Sequence, residues 1–239
     1  MLENLDLHKV LFIDVETVAL QDSYNKLEDS WKSLWDKKSE YFLKEGESPD
    51  EIYPKAGIYA EFGKVICISL GIYRKEDKKV SFRIKSFYGD DEKEILSQFC
   101  ELLSKRFDKP DYLLCAHNGK EFDFPFLARR ILVNRLKLPY LLDIAGRKPW
   151  EVQHLDTLQL WKFGDYKHYT SLDLLSRLFD IESPKNEMQG SDVNRVYWKE
   201  KDLEKIVNYC QNDTLAVAQL LLAYKGMDPI KSKEISVAE

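Results

Sequence analysis

Apolar runs along this chain alternate with stretches of helical periodicity, and the first run is the most continuous. Residues 8–17, HKVLFIDVET, are apolar up to an acidic pair, which predicts a buried first strand that ends there. Residues 63–74 and 79–89 alternate apolar with polar positions, which predicts two neighbouring strands joined by the turn RKEDKK. The apolar part of DYLLCAHN, residues 111–118, predicts one more short buried strand.

Helical periodicity marks the segments between and after these strands. One helix is predicted to follow the N-cap Asp90 and to end near Arg106. Another is predicted to begin at Asp123 and to end near Lys137. Further helices are predicted at TLQLWKF, at SLDLLSRLF and from about Lys199 to Tyr224. Strands come first and then mix with helices, which predicts an α/β fold whose central mixed sheet is flanked by helices.

The polar segment 21–63 separates the first two predicted strands. Its residues Leu27, Trp31, Leu34 and Trp35 are spaced as a stripe along one side of a helix. We therefore predict a helical insertion within a single domain that spans residues 1–239, since no repeat, low-complexity tract or linker interrupts the chain.

Composition narrows the class of protein. Hydrophobic residues make up 44% of the 239 residues, enough for a sizeable core, and charged residues make up 32%. No apolar run approaches the ~18 residues that cross a bilayer, and the first residues lack the pattern of a signal peptide, so no membrane association is expected. The four cysteines lie in apolar stretches without a Cys-x-x-Cys pair, which predicts buried free thiols and a cytoplasmic location.

The net charge of −5 argues against a general nucleic-acid-binding coat, but the charges are unevenly distributed. Residues 1–63 carry 7 basic and 14 acidic side chains, whereas residues 117–177 carry 10 basic and 7 acidic ones. The second segment therefore permits a local basic face. On charge alone, a solvated helix surface is the preferred explanation of the same excess.

Asp14 and Glu16 interrupt the first apolar run at a spacing of two residues. In a strand this spacing places both side chains on one face. Two adjacent carboxylates at the end of a buried strand repel each other and lose hydration, and a divalent cation between them offsets both costs. The alternative is a strand-end turn with solvated charges.

Four further residues have ordinary explanations when they are considered outside the full set. Asp123 suits the N-cap of a helix, and Asn118 suits a simple turn. Tyr209 and Asp213 are four residues apart in a predicted helix and share a face, as many surface pairs do.

Taken in order, however, these residues resemble the motifs of the DEDD superfamily of 3′→5′ exonucleases. FIDVET, NGKEFDFPFLARR and YCQND are similar to its three motifs, and the Tyr-x-x-x-Asp spacing is that of the tyrosine branch. The resemblance covers about residues 9–224 and is strongest to stand-alone proteins similar to the exonuclease domain of family-B DNA polymerases. It implies a ribonuclease H-like fold. The long segment 21–63 departs from the pattern, as does the lack of a polymerase region.

The resemblance implies a site for two Mg²⁺ or Mn²⁺ ions held by Asp14, Glu16, Asp123 and Asp213, with Tyr209 orienting the attacking water. It implies hydrolysis at the 3′ end of single-stranded DNA, with replication or repair proteins as possible partners. Candidate substrate contacts, chosen from position, are Thr17, Leu20, Asn118, Lys120, Tyr166, Lys167, His168 and Tyr169. A 3′→5′ exoribonuclease and a non-catalytic nucleic-acid-binding module remain alternatives.

Overall fold

The computed structural model describes residues 2–76, 79–165, 169–181 and 188–238. A mixed sheet of six strands forms its centre, in the order β5-β4-β1-β2-β3-β6. The strands are β1 Val10–Ala19, β2 Gly63–Glu76, β3 Lys79–Tyr88, β4 Leu113–Ala116, β5 Leu155–Asp156 and β6 Ile235–Ala238. β1, β2 and β3 pair antiparallel, β4 and β5 run parallel to β1, and β6 runs parallel to β3.

Helices flank both faces of this sheet. They are α1 Asp29–Ser39, α2 Glu92–Arg106, α3 Asp123–Val133, α4 Thr157–Lys162, α5 Leu172–Leu178, α6 Val193–Arg195 and α7 Leu203–Tyr224, with a π-helical turn at Val196–Glu200. The predicted α/β class with a central mixed sheet is confirmed. Within the described part of the chain, no helix combines the length and the apolar character that a membrane span requires.

Side-chain alternation along β1 divides the core. Leu11, Ile13 and Val15 belong to a buried cluster with residues of α2 and α3. Val10 and Phe12 belong to the opposite cluster, which contains residues of α7. Because alternate residues of a strand share a face, Asp14 and Glu16 lie on the side of the sheet that α7 covers.

Close packing of α7 on β2 depends on a glycine. A Cβ atom added to Gly71 would lie 2.3 Å from the Phe82 ring and 3.1 Å from the Thr214 side chain. The Thr214 hydroxyl also donates to the Ser69 carbonyl, 3.3 Å away. The end of α7 that carries the third motif is therefore held against the middle of the sheet.

A buried ion pair ties α3 to α2 on the face of the sheet opposite α7. Arg130 donates to both carboxylate oxygens of Glu92, at 2.8 and 2.6 Å. The Val65 N–H donates to the same carboxylate, and Arg130 donates to the Ala60 carbonyl. A buried pair with these additional hydrogen bonds fixes α3, whose first residue is Asp123.

Several predicted boundaries were wrong by a few residues. β1 does not end at the acidic pair but continues to Ala19, because its last residues still pair with β2. The cap of α2 is Asp91, whose carboxylate accepts from the N–H groups of Lys93 and Glu94, whereas Asp90 accepts from Tyr197.

Two helix predictions were also too long. α3 ends at Val133, since Arg135 adopts a left-handed backbone conformation with φ of 57°. The predicted helix from Lys199 is interrupted at Lys201, whose φ is 58°, and α7 begins only at Leu203.

The segment between β1 and β2 contains α1 and two 3-10 helices, Tyr24–Lys26 and Tyr53–Ile58. Its core is Trp35, which is fully buried and donates to the Pro49 carbonyl at 2.7 Å. The predicted apolar stripe is incomplete, because the Leu34 side chain is 54% exposed.

Candidate active site

Carboxylates from β1 face a thiol from α7. The ligand atoms of Asp14, Glu16 and Cys210 all lie within 4.8 Å of one another. Glu16 and Cys210 are buried, and Asp14 is half-buried. The Cys210 thiol donates to the Asp14 carbonyl at 3.3 Å, which fixes the helix against the strand beside the acidic pair.

Asp123 joins this group from the start of α3. It is the first residue of the helix and does not cap it, because the N-cap position belongs to Phe122, which makes no side-chain cap hydrogen bond. Its side chain is buried and interacts with the backbone of Val15, which lies between the two carboxylates of β1. The helix-cap explanation of Asp123 is therefore wrong.

Tyr209 and Asp213 lie one turn apart on α7. The Tyr209 hydroxyl interacts with the Asp213 carboxylate. Burial, followed by the charges of Asp213, Glu16 and Asp14, raises the pKa of the Tyr209 hydroxyl above its ordinary value. The hydroxyl therefore keeps its proton at neutral pH and acts as a hydrogen-bond donor.

The four carboxyl groups act on each other electrostatically. Burial raises the pKa of Asp14, and the charges of Asp213 and Asp123 raise it further. Burial and the charge of Asp14 likewise raise the pKa of Glu16. Burial raises the pKa of Asp123 to about 7 and that of Asp213 to about 6. Such a cluster holds several negative charges together only if a cation compensates them.

One oxygen of Asp14 indicates where such a cation fits. Asp14 Oδ2 is buried and has no hydrogen-bond partner, alone in this respect among the side chains that the structure describes. Buried oxygens without a partner are rare and costly unless an ion or water occupies the site. The carboxylates are hard donors suited to Mg²⁺ or Mn²⁺, and the residues present therefore fit a divalent cation.

The contribution of Asp123 to the stability of the metal-free protein should decrease as the pH rises, which is the opposite of the usual behaviour of a carboxyl group. The pKa of Asp123 in the folded protein, about 7, exceeds the ~3.9 of an unfolded Asp, so its stabilising contribution is complete below about pH 4 and is lost as the pH rises through about 7. Asp123→Asn removes this loss. In EDTA, the melting temperature of the variant minus that of the wild type should increase from about pH 5 to about pH 8.

The variant is compared with the wild type at each pH because the titration of His117 and His154 changes stability in the opposite direction. Burial lowers the pKa of both imidazoles, so their contribution to stability rises with pH. Both histidines are present in wild type and variant, and their effect cancels in the difference. A difference that stays constant or shrinks toward pH 8 would contradict the raised pKa of Asp123.

Asp156 organises the loop before α3 and was missed by sequence reasoning. Its buried carboxylate accepts from the backbone N–H groups of Asn118 and Lys120, at 3.0 and 3.1 Å. It also caps α4, accepting from Leu158 and Gln159. One side chain thus connects the end of β5 to the loop that leads to Asp123. The only available signal was its position just before the predicted helix TLQLWKF.

Cys210 was predicted as a buried free thiol, and all four cysteines are free and buried. Its place beside Asp14 and Glu16 was not predicted. The residue directly follows Tyr209, so the turn of α7 that presents the tyrosine also directs this thiol toward β1.

The candidate substrate contacts lie in different places. Tyr169 is 65% exposed, and its ring centre lies 6.2 Å from that of His117. Burial, followed by the charges of Asp123, Asp156 and Asp213, raises the pKa of its hydroxyl. Leu20 is half-buried and directly follows β1. The predicted contacts Tyr166, Lys167 and His168 lie outside the described residues.

The other candidates make internal hydrogen bonds. The Thr17 hydroxyl donates to the Gly57 carbonyl at 2.7 Å, and a β-bulge separates Thr17 from Glu16. The Lys120 ammonium donates to the Val152 carbonyl at 2.9 Å. Asn118 adopts a left-handed conformation, φ 64°, in the loop that Asp156 holds. Bulges and left-handed residues concentrate at functional sites because they redirect neighbouring groups.

Comparison with known proteins places the geometry in a family. The model of a family described as a predicted 3′-5′ exonuclease related to the exonuclease domain of PolB matches residues 58–232, well over half of the chain. The matched segment contains Asp123, Tyr209 and Asp213 and begins after Asp14 and Glu16. No curated protein matches the chain.

Proposed function

Since this chain belongs to the family of predicted 3′-5′ exonucleases related to the exonuclease domain of PolB and is a hydrolase, we propose that it removes nucleotides one at a time from the 3′ end of single-stranded DNA with the help of two divalent cations. The observation that carries this proposal is the buried group of Asp14, Glu16, Asp123 and Asp213, in which one Asp14 oxygen has no partner.

We propose that the four carboxylates hold two Mg²⁺ or Mn²⁺ ions. When bound, the ions supply the Lewis acidity that makes a water nucleophilic near neutral pH and stabilises negative charge at the scissile phosphate. The backbone of Val15 interacts favourably with the charged form of the Asp123 carboxylate. Asp156 fixes the loop before Asp123 through two backbone hydrogen bonds.

In this proposal Tyr209 positions the attacking water. Its hydroxyl points toward the Asp213 carboxylate and keeps its proton, so it orients a water molecule and does not abstract the proton itself. A Cβ atom added to Gly190 would lie 4.0 Å from the Tyr209 hydroxyl oxygen, its nearest neighbour, so the glycine leaves space beside that hydroxyl.

A single-stranded end suits the surroundings of the cluster. The exposed Tyr169 ring, whose hydroxyl is influenced by the charges of Asp123 and Asp213, offers a face on which a terminal base or sugar stacks without reading its identity. The two alternatives carried from the sequence are RNA as the substrate and a binding module without turnover. A module that only binds has no use for the mutual repulsion of four closely placed carboxylates, two of them buried and two half-buried.

Labelled DNA and RNA 3′ ends, incubated with Mg²⁺, Mn²⁺ or EDTA, separate these functions. We expect mononucleotides to accumulate from single-stranded DNA with either ion and nothing to be released in EDTA. Faster release from RNA would favour the exoribonuclease. Binding of DNA without release under every condition would favour the non-catalytic module.

Leu20 tests how the 3′ end is held. We propose that it separates the last two bases, and Leu20→Ala should then weaken single-strand processing by about 1–3 kcal/mol and leave stability nearly unchanged. If Leu20 instead contributes to the core, the same change costs ~2–5 kcal/mol of folding stability. Thermal melts and single-turnover rates on the one variant decide. A large fall in melting temperature with normal cleavage per folded molecule would eliminate the wedge.

We further propose that the chain forms one exonuclease domain over residues 1–239 and works in the cytoplasm. The four free, buried thiols support a reducing compartment. Replication or repair proteins remain its proposed partners, because 3′ ends of single strands arise in both processes.

A further inference from the structure

Two lysines and two aromatic rings form a second cluster near the carboxylates, here named the lysine–aromatic patch: Lys64, Tyr197, Trp198 and Lys201. The Lys64 ammonium lies 4.9 Å from the centre of the Tyr197 ring and 5.2 Å from that of Trp198. The Lys201 ammonium lies 5.9 and 5.0 Å from the same two centres. Two cations thus share one aromatic pair.

The lysine–aromatic patch is attached to β1 at Ala19. The Ala19 N–H donates to the Asn194 side chain at 2.9 Å, and the indole N–H of Trp198 donates to the Ala19 carbonyl at 3.1 Å. Ala19 lies three residues beyond Glu16 in β1, which corresponds to roughly 10 Å along a strand. Trp198 is therefore held beside Leu20, a short distance from the acidic cluster.

Unusual backbone geometry presents the patch. Trp198 lies in the π-helical turn Val196–Glu200, and Lys201 directly after it has a φ of 58°. Both features cost conformational energy, and both occur frequently at functional sites. They leave Lys201 exposed and Trp198 half-buried, although Tyr197 beneath them is buried.

The two ammonium groups differ in their access to an outside partner, because Lys201 is exposed, whereas Lys64 is half-buried and burial lowers its pKa. Among the described residues neither forms an ion pair with a carboxylate: Lys64 donates to the Tyr197 hydroxyl, at 2.9 Å, and to the Asp90 carbonyl. The Asp90 carboxylate accepts from that hydroxyl at 2.8 Å. Lys201 also interacts electrostatically with Asp22, but the Asp22 carboxylate already forms a salt bridge with Lys26 at 2.6 Å.

We propose that the lysine–aromatic patch binds the substrate strand a few nucleotides upstream of the 3′ end, with the lysines on phosphates and Trp198 beneath a base. This inference rests on the proposed function. Cationic groups that follow the backbone, combined with an aromatic face for stacking, are the pattern of sequence-independent single-strand binding. The attachment at Ala19 aligns this subsite with the strand that carries Asp14 and Glu16.

Binding measured without catalysis tests the patch. Fluorescence anisotropy in EDTA would follow an oligothymidine of about ten nucleotides, within the ~4–16 that one single-strand-binding groove covers. Lys201→Gln should weaken binding about 5-fold and reduce the steepness of the plot of log affinity against log salt by about 0.7, as expected for one lost phosphate contact. Trp198→Leu should weaken binding about 5-fold or more, with little change in salt dependence.

Lys109→Gln is the matched control. Lys109 is exposed and lies shortly before β4. The first residue of β4 pairs with Val10 at the start of β1. Lys109 therefore lies near the end of β1 that is remote from Glu16. This variant should bind as the wild type does. Thermal melts of each variant confirm that the fold is retained.

A substrate without any upstream nucleotide, the 4-nitrophenyl ester of thymidine 5′-monophosphate, separates the patch from the chemistry. It has no base or phosphate upstream of the scissile bond to contact the patch, so the ratio of kcat/KM for the oligothymidine to that for this ester should fall in Lys201→Gln. Unchanged affinity and an unchanged ratio in both patch variants would overturn the subsite. A wild type that binds the strand through the patch but hydrolyses neither substrate would overturn the proposed function and leave the subsite standing.

Discussion

Asp14→Asn is expected to abolish metal-dependent cleavage and to leave the metal-free protein as stable as the wild type or slightly more stable. The substitution removes a charge whose burial and repulsion by Asp213 and Asp123 are unfavourable, so the fold loses nothing when the metal is absent. The loss in kcat should be about 10³-fold or more, equivalent to ~4 kcal/mol of the barrier.

Metal-dependent stabilisation gives a second measurement on the same variant. Mn²⁺ binds only the native cluster, so it should raise the melting temperature of the wild type by mass action and raise that of Asp14→Asn much less. Asp108→Asn, in an exposed loop, is the control and should retain both cleavage and the shift with Mn²⁺. Cleavage by Asp14→Asn within a few-fold of the wild type would remove Asp14 from the site.

The face of the sheet that carries the acidic pair was predictable because strand geometry is local. Spacing alone places Asp14 and Glu16 on one side of β1, and the core clusters on either side of the sheet follow the same alternation. Tyr209 and Asp213 were predictable as a pair for the equivalent reason on a helix. Their approach to β1 was expected only from the resemblance of the three motifs.

Features that depend on tertiary packing could not be predicted from the sequence. In the sequence, Cys210 cannot be distinguished from any other buried thiol, because only the packing of α7 on β1 brings it to Asp14. Asp156 cannot be distinguished from an ordinary helix cap, because only the fold brings the loop before Asp123 against it. The interruption at Lys201 was missed because lysine carries no signal for a left-handed conformation, which glycine adopts readily and asparagine or aspartate occasionally.

The role proposed for Tyr209 differs from that of the carboxylates. Burial, followed by the charge of Asp213 and the other nearby negative charges, raises the pKa of its hydroxyl, so the hydroxyl stays protonated near neutral pH. In the proposed mechanism this group therefore contributes through position and hydrogen bonding. Removing it should slow the chemical step, while the four carboxylates and the binding of metal remain intact.

Tyr209→Phe is accordingly expected to lower the single-turnover rate by about 10²–10³-fold, or ~2.7–4 kcal/mol, the usual contribution of one positioned acid–base or electrostatic group. Affinity for the strand and the rise in melting temperature with Mn²⁺ should stay close to the wild-type values. Tyr140→Phe, which deletes the hydroxyl of an exposed tyrosine in the 3-10 helix Tyr140–Leu142, controls for loss of a phenol elsewhere and should leave the rate unchanged. Weaker strand binding with an unchanged chemical step would instead show that Tyr209 is a contact for the substrate, because a residue that orients the water acts only after the strand is bound.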